Sequence, residues 1–264
     1  MQHLTNKTVL ITGASSGLGQ ALAYAAAGRG ANLVLCARRQ EKLQLVAAHA
    51  RAISGRHAYA VRIDLTQPAQ LNALMAFIKR QVGPIDVLIN NAGIGYFERA
   101  LDLPAAKLEA LFQLDVISLI QLTQKIGLTM AGLRRGTIVN IASQAGKLVT
   151  PKASAYAAAK AAVIAYSNGL RMELRPLHIH VLTVNPGPIA TDFATIADPS
   201  GQYARAVANI ALDPHRLAER IVQAIEHQRR ELNVPWPMTV AAQLRQLFPA
   251  IVDRIIMNPV FNRK

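Results

Sequence analysis

Short runs of β-branched and other apolar residues take turns with helical apolar periods along most of this chain, and few folds accept that order. Thr8–Thr12 is such a run, followed by a glycine turn and a helical period reaching about Arg29. Leu33–Ala37 precedes a helical stretch over Gln40–Ile53; Tyr59–Asp64 precedes another over Gln67–Val82, which Thr66 is placed to cap. Asp86–Asn90, a long helix over Pro104–Leu133, Thr137–Ala142, a helix over Ser154–Arg175 and His180–Val184 continue the series. Repeated β-α-β units predict an α/β architecture, a doubly wound parallel sheet with helices on both faces. The chain has 264 residues, enough for a full core, and no repeat or linker divides it, so 1–264 reads as a single domain.

From about Asn233 the pattern changes. Pro235-Trp236-Pro237 interrupts the chain, and Met238–Met257 then shows helical apolar spacing with Arg245 and Arg254 interspersed. This predicts a C-terminal helical extension over residues 233–264. A helix packed on its own domain or across a subunit interface is the preferred reading. A basic amphipathic helix touching a membrane is the alternative, and Pro249 in mid-run weighs against it.

The turn Thr12-Gly13-Ala14-Ser15-Ser16-Gly17-Leu18-Gly19 joins the first strand to the first helix. Glycines there allow a tight turn and let the backbone approach a pyrophosphate, which free N–H groups and the dipole of a helix N-terminus favour. The end of the second strand bears on which dinucleotide. An Asp or Glu there would accept hydrogen bonds from ribose hydroxyls and favour NAD. The chain has Cys36-Ala37-Arg38-Arg39 instead, and guanidinium groups pair well with a phosphate dianion. NADP(H) is the expected cofactor, with Arg38 the main contact to the 2′-phosphate and Ser15 or Arg39 assisting. Two solvated loop arginines are the plainer alternative.

Tyr156 and Lys160 stand at i and i+4 in the alanine-rich Ser154–Lys160, so a helix places them on one face. A free tyrosine has a pKa of roughly 10. A fixed cation one turn away favours the phenolate and can bring that value into a useful range.

These pieces occur together, in order, with Asn90-Asn91-Ala92-Gly93, Ser143 and Asn185-Pro186-Gly187. On them the chain resembles the classical short-chain dehydrogenases/reductases, from about Thr5 to Thr191. The resemblance implies a Rossmann-type sheet of about seven strands. It implies Tyr156 as the proton donor to a substrate carbonyl, or acceptor from an alcohol. Lys160 would stabilise the phenolate and hydrogen-bond the nicotinamide ribose, and Ser143 would hold the substrate oxygen. Gly13, Ser15, Ser16, Gly17, Leu18 and Gly19 would form the phosphate turn, and Asp64 and Leu65 would lie beside the adenine. Asn91, Ala92 and Gly93 would line the cleft, and Pro186, Gly187, Ile189 and Thr191 would flank the nicotinamide. Asn91 serves equally well as a turn residue holding a strand end. One position departs from the family: Asp115 stands where an Asn usually holds a water in the relay to the lysine. A carboxylate there accepts but does not donate, and it tends to raise the pKa of both lysine and tyrosine. A working but altered relay with a higher pH optimum is expected.

Composition sets the remaining bounds. The single cysteine, Cys36, excludes an internal disulfide framework and suits a reducing compartment. No uninterrupted apolar run approaches the length of a membrane span, so the chain reads as soluble and cytoplasmic. His178 and His180 have no evident third ligand, and no metal is expected. The net charge of +14 favours anionic partners, yet the arginines lack the interleaved aromatics of a base-stacking platform, so no specific nucleic-acid binding is expected. Apolar Ile94, Tyr96, Phe97, Leu148, Pro188 and Phe193 suggest a hydrophobic substrate pocket, for a small-molecule carbonyl/alcohol pair of acyl or lipid-like kind. The apolar content of the two long helices suggests a homo-oligomer, dimer or tetramer. An NADP-binding sensor or scaffold that has lost turnover is the other reading of the same fold, and Asp115 is the residue that feeds it.

Overall fold

The structure, a computed structural model, describes residues 3–257. Seven parallel strands form one sheet in the order β3-β2-β1-β4-β5-β6-β7. They are β1 Thr8–Thr12, β2 Asn32–Ala37, β3 Ala58–Arg62, β4 Val87–Asn90, β5 Gly136–Ile141, β6 Ile179–Pro186 and β7 Glu231–Val234. The order reverses between β1 and β4, and parallel sheets open a crevice at the carboxyl ends of the strands there.

Alternation within the strands builds two cores. Val9 and Ile11 of β1, Leu33 and Leu35 of β2 and Val87 and Ile89 of β4 face one side, while Leu10, Val34 and Leu88 face the other. The first side is covered by α1 (Gly17–Gly28), α2 (Gln40–Ser54) and α9 (Pro214–Glu226). The second is covered by α3 (Pro68–Phe77), α5 (Leu119–Leu133) and α6 (Ser154–Leu174). Strands covered on both faces read as continuous apolar runs, so β1 to β6 are legible in the sequence; the four-residue β7, whose residues alternate in burial, is not.

Both long helices expected before β4 and β5 are interrupted by a π-helical turn. Ile78–Val82 extends α3, and Gln113–Ser118 lies between α4 (Ala105–Phe112) and α5. Ser118 Oγ donates to the Gln113 carbonyl at 2.7 Å inside the second turn. By length and composition Ala105–Leu133 is apolar enough to cross a membrane, but Leu111, Leu119, Leu122, Ile126 and Met130 on one side of it are buried in the fold. Thr66 does not cap α3: its N–H and hydroxyl both go to Asp64 Oδ1, at 3.0 and 2.8 Å, and Gln67 occupies the N-cap.

A buried polar ladder locks the second face. Asn90 Nδ2 donates to Thr123 Oγ1 and to Asn140 Oδ1, and Asn140 Nδ2 donates to Ser167 Oγ at 2.9 Å. It ties β4 and β5 to α5 and α6, so the helix carrying Tyr156 and Lys160 has a fixed position on the sheet. Beyond β6 come α7 (Phe193–Ala197) and α8 (Gln202–Val207). The tail leaves the sheet at Pro235, not at Asn233, which is still in β7. It forms α10 (Trp236–Leu247) and α11 (Pro249–Met257). The rest of the expected extension, residues 258–264, lies outside the described residues. Pro249 does not break a helix; it begins one, where its missing N–H and fixed φ are tolerated.

Close packing of α1 on the glycine turn predicts an asymmetry between two glycines of that helix. A Cβ at Gly19 would lie 2.3 Å from the Gly13 carbonyl oxygen and 2.6 Å from Asn91 Nδ2, whereas one at Gly28 meets nothing within 4 Å. Gly19→Ala should lose about 1–3 kcal/mol of stability. Gly28→Ala should be neutral or gain up to about 1 kcal/mol. Denaturant midpoints of the two variants check this.

Candidate active site

The helix α6 starts beside the carboxyl ends of β4 and β5, and its first turns bring Tyr156 and Lys160 inward. Tyr156 and Lys160 are both buried, and Lys160 Nζ lies 5.6 Å from the centroid of the Tyr156 ring. Ser143, just past β5, lies close enough to Tyr156 for its hydroxyl to favour the phenolate; it accepts the Ala145 N–H at 3.0 Å and donates to the Pro186 carbonyl at 3.4 Å. The structure therefore brings Ser143, Tyr156 and Lys160 together.

Asp115 joins them directly. Its Oδ2 stands 2.8 Å from Lys160 Nζ, an ion pair with both partners buried and poorly aligned for a hydrogen bond. Its Oδ1 accepts the Ile94 N–H at 2.8 Å. The π-helical turn is what puts this carboxylate on the inner side of the helix pair. Gly93 is pressed against the pair: a Cβ there would lie 3.0 Å from Asp115 Oδ2 and 3.3 Å from Lys160 Nζ. Lys160 also donates to the Ile141 carbonyl at 3.4 Å.

The electrostatics follow from this burial. Desolvation pushes the Tyr156 phenol above its ordinary value; the Lys160 ammonium draws it down, the Asp115 carboxylate pushes it up, and the net direction is up. Desolvation pulls Lys160 down, but Asp115 and Tyr156 together raise it above the usual lysine value. Desolvation raises Asp115 against the pull of Lys160 and of the Ile94 N–H. The cation alone does not bring this phenol down, because the same low-polarity site that strengthens its pull also penalises the phenolate.

A cleft of about 1130 Å³ runs from the end of β2 to this cluster. Gly13, Ser15, Ser16, Gly17, Leu18 and Gly19 line it, as do Arg38, Arg39, Asp64, Leu65, Asn91, Ala92, Gly93, Pro186, Gly187, Ile189 and Thr191. Gly13 and Gly17 have φ of +66° and +56°, and a Cβ at Gly17 would lie 3.2 Å from the Thr191 methyl. No side chain caps the first turn of α1. Arg39 folds over the glycine turn, its guanidinium donating to Ser15 Oγ at 3.0 Å and Ser16 Oγ at 2.6 Å, while Arg38 is exposed at the cleft edge. Asn91 does hold the strand end: Nδ2 donates to the Thr12 carbonyl at 2.9 Å, and its N–H donates to Thr12 Oγ1. Open helix amides, the glycine positions of the turn and the two guanidiniums beside it make a donor set that a dinucleotide phosphate fits.

Above Tyr156 the cleft widens into an apolar chamber. Ile94, Tyr96, Phe97, Leu148, Pro188 and Phe193 line it, as the sequence suggests. Phe97 meets Tyr156 edge-on at 5.6 Å, and Tyr203 lies 4.1 Å on its other side. Tyr203, Ile196, Val207, Ile210, Gln144 and Met238 also line the chamber, and sequence reasoning missed them. Tyr203-Ala206-Val207-Ile210 has the i, i+3, i+4, i+7 spacing that marks one helix face. Asp198 organises that segment, accepting from Ser200 and from the Tyr203 N–H at 2.8 Å. The Phe97 N–H donates to the Ala197 carbonyl at 3.0 Å and ties it to the chamber wall. Among the described residues, no three His, Cys, Asp or Glu side chains gather as metal ligands do.

Comparison with known proteins identifies the family. The short chain dehydrogenase family matches residues 7–200. Ketoacyl reductase HetN from Nostoc sp. is 34% identical over 261 residues, 97% of this chain and 90% of that protein. A short-chain dehydrogenase from Sphingobium yanoikuyae, solved in complex with NADPH, superposes with a TM-score of 0.80 at 32% identity, covering 94% of this chain and 95% of that one. A short chain dehydrogenase/reductase from Burkholderia phymatum, solved with NAD, gives a TM-score of 0.88 at 26% identity, covering 95% and 96%. The chain belongs to the short-chain dehydrogenase/reductase family.

Replacing Asp115 removes the charge that lifts both neighbours. In Asp115→Asn the Tyr156 and Lys160 pKa values fall. A reductive rate that depends on protonated Tyr156 then declines at lower pH than in the parent; an oxidative rate that depends on the phenolate rises at lower pH. Both limbs of the pH–rate profile should move toward acid. An unchanged profile would show that the carboxylate does not act on the phenol.

Proposed function

We propose that this short-chain dehydrogenase/reductase is an NADP(H)-dependent oxidoreductase interconverting a carbonyl and an alcohol, with an apolar or acyl-like substrate held over Tyr156. The observation that carries the reading is the buried Ser143–Tyr156–Lys160 cluster at the junction of the phosphate-fitting cleft and the aromatic chamber. A nicotinamide bound in this cleft would supply or accept the hydride. In reduction, the Tyr156 hydroxyl gives its proton to the substrate oxygen while Ser143 Oγ steadies that oxygen. Lys160 stabilises the phenolate left behind, and Asp115 in turn holds the ammonium in place. In oxidation the same phenolate accepts the alcohol proton. The aromatic walls exclude water, so the proton exchanges only with groups positioned for it.

NADP(H) preference rests on Arg38 and Arg39 where an acid would favour NAD, and on the NADPH complex of the Sphingobium relative; the Burkholderia relative holds NAD. The ketoacyl reductase relative supports an acyl substrate. Exposed Leu108, Ile117 and Leu128 on α4, the π-turn and α5 support a homo-oligomer. The lone free Cys36 supports a cytoplasmic setting. A second reading, a nucleotide-binding sensor with impaired turnover, is favoured by one observation, the direct Asp115–Lys160 contact where a relay water is usual.

Single-turnover oxidation of NADPH against a panel of ketones, aldehydes and acyl thioesters separates the two. Tyr156→Phe should lower the hydride-transfer rate by about 10²- to 10⁴-fold while NADPH binding persists. Turnover with no carbonyl in the panel would favour the sensor. Arg38→Ala should weaken NADPH binding by about ten- to a hundredfold, the worth of a charge-assisted contact, and leave NADH binding as it was. Equal loss for both nucleotides would remove the case for the 2′-phosphate.

A further inference from the structure

Surface helices normally turn their large apolar residues inward, and α10 does the reverse. Its inward contacts come from Met238, which reaches the chamber, Thr239, which accepts from Gln144 Nε2 at 3.1 Å, and the buried Ala242. Trp236, Val240, Leu244 and Leu247 stand at i, i+4, i+8 and i+11 on the opposite face, and all are exposed. The stripe continues past the helix break through Phe248 and Ile251; Trp236 is 74% exposed, Leu247 71% and Ile251 60%. Scattered exposed leucines need no explanation, but a contiguous stripe of large apolar side chains does.

Charge indicates what covers it. Asp253 is the single acid between Trp236 and Met257, and Arg245 neutralises it at 2.7 Å; Arg254 beside it is exposed. The chain as a whole carries +14. A second copy would bring the same +14 toward this face, whereas an anionic lipid surface is attracted by it. An exposed indole with aliphatic and phenyl neighbours along a helix is the composition that settles at the boundary between headgroups and acyl chains. Pro249 is no obstacle, since it opens α11 and the stripe runs across the junction.

We propose that the outer face of α10 and α11 is a docking surface for an anionic phospholipid membrane, with Trp236, Leu247 and Phe248 entering the interface. The contact is peripheral, and it stands apart from the reaction assigned above. It places the chamber wall formed by Met238 next to the lipid surface.

The chain contains one tryptophan, so the emission of Trp236 in the full-length protein reports on this face alone. With phosphatidylcholine vesicles containing phosphatidylserine, emission should shift to the blue and be quenched by brominated acyl chains, and high salt should reverse both. Leu247→Ser and Phe248→Ser should each lower vesicle partitioning by about tenfold, the loss expected when burial of one large apolar side chain is forfeited. Thermal midpoint and NADPH binding should stay unchanged in both. Unshifted emission with the protein left in the supernatant overturns the proposal. So does emission already blue-shifted in buffer that reddens on dilution as the mass halves, which would mean a second copy covers the stripe. Undiminished partitioning of both variants likewise overturns it, leaving only diffuse attraction to basic residues elsewhere.

Discussion

An ammonium and a carboxylate facing each other at 2.8 Å beneath a phenol set the terms for the rest of this molecule. Taking two such charges out of water costs several kcal/mol per ion, and their attraction offsets this only with good geometry and further hydrogen bonds. The fold supplies two further hydrogen-bond partners, the Ile94 N–H after β4 for Asp115 and the Ile141 carbonyl at the end of β5 for Lys160, and a π-helical turn carries Asp115 to meet them. A pair of similar-sized apolar residues would fill the space at less cost. The charged pair holds Lys160 beside Tyr156, where the ammonium eases ionisation of a phenol that burial keeps protonated, and this gives the pair a chemical reason to be there.

Topology explains why these residues converge. The strand order reverses between β1 and β4, so the glycine turn after β1 and the Asn91–Gly93 loop after β4 flank one crevice. Thr12 Oγ1 accepts the N–H groups of both Asn91 and Ala92 at 3.0 Å, stitching the two sides together. On the other face the ladder Thr123–Asn90–Asn140–Ser167 fixes α6. A slip of α6 by one residue would break its Ser167 rung and rotate Tyr156 out of the cleft. The geometry of the candidate site and the packing of the core are therefore set by the same polar contacts.

Much of this was legible in the residues. Strands buried on both faces announce themselves as apolar runs, the glycine turn sits where a strand meets a helix, and Tyr156 and Lys160 share a helix face by spacing alone. Less visible were features set by tertiary contact. Gln113–Ser118 has an ordinary helical sequence, and only the sheet beneath it shows that the turn widens and buries Asp115. Thr66 has the chemistry of a cap, but Asp64 competes successfully for its hydroxyl. Tyr203, Ala206, Val207 and Ile210 do carry a helical spacing, but α8 spans only Gln202–Val207, too short a helix for that period to stand out from the sequence. Pro235 makes Asn233 read as the start of the tail; strand β7 claims it first. The stripe on α10 reads from sequence like any core-facing helix, and its outward direction needed the fold.

The central claim is that Tyr156 is the proton donor of a carbonyl reduction and that burial and Asp115 hold its pKa above the ordinary value. Single-turnover oxidation of NADPH by a reactive carbonyl, followed across pH in the unaltered protein, tests this most directly. The rate constant should be flat through neutrality and fall along one ionisation above pH of about 10, the value for an unperturbed tyrosine. A fall centred well below that value, or no dependence on pH, would contradict it.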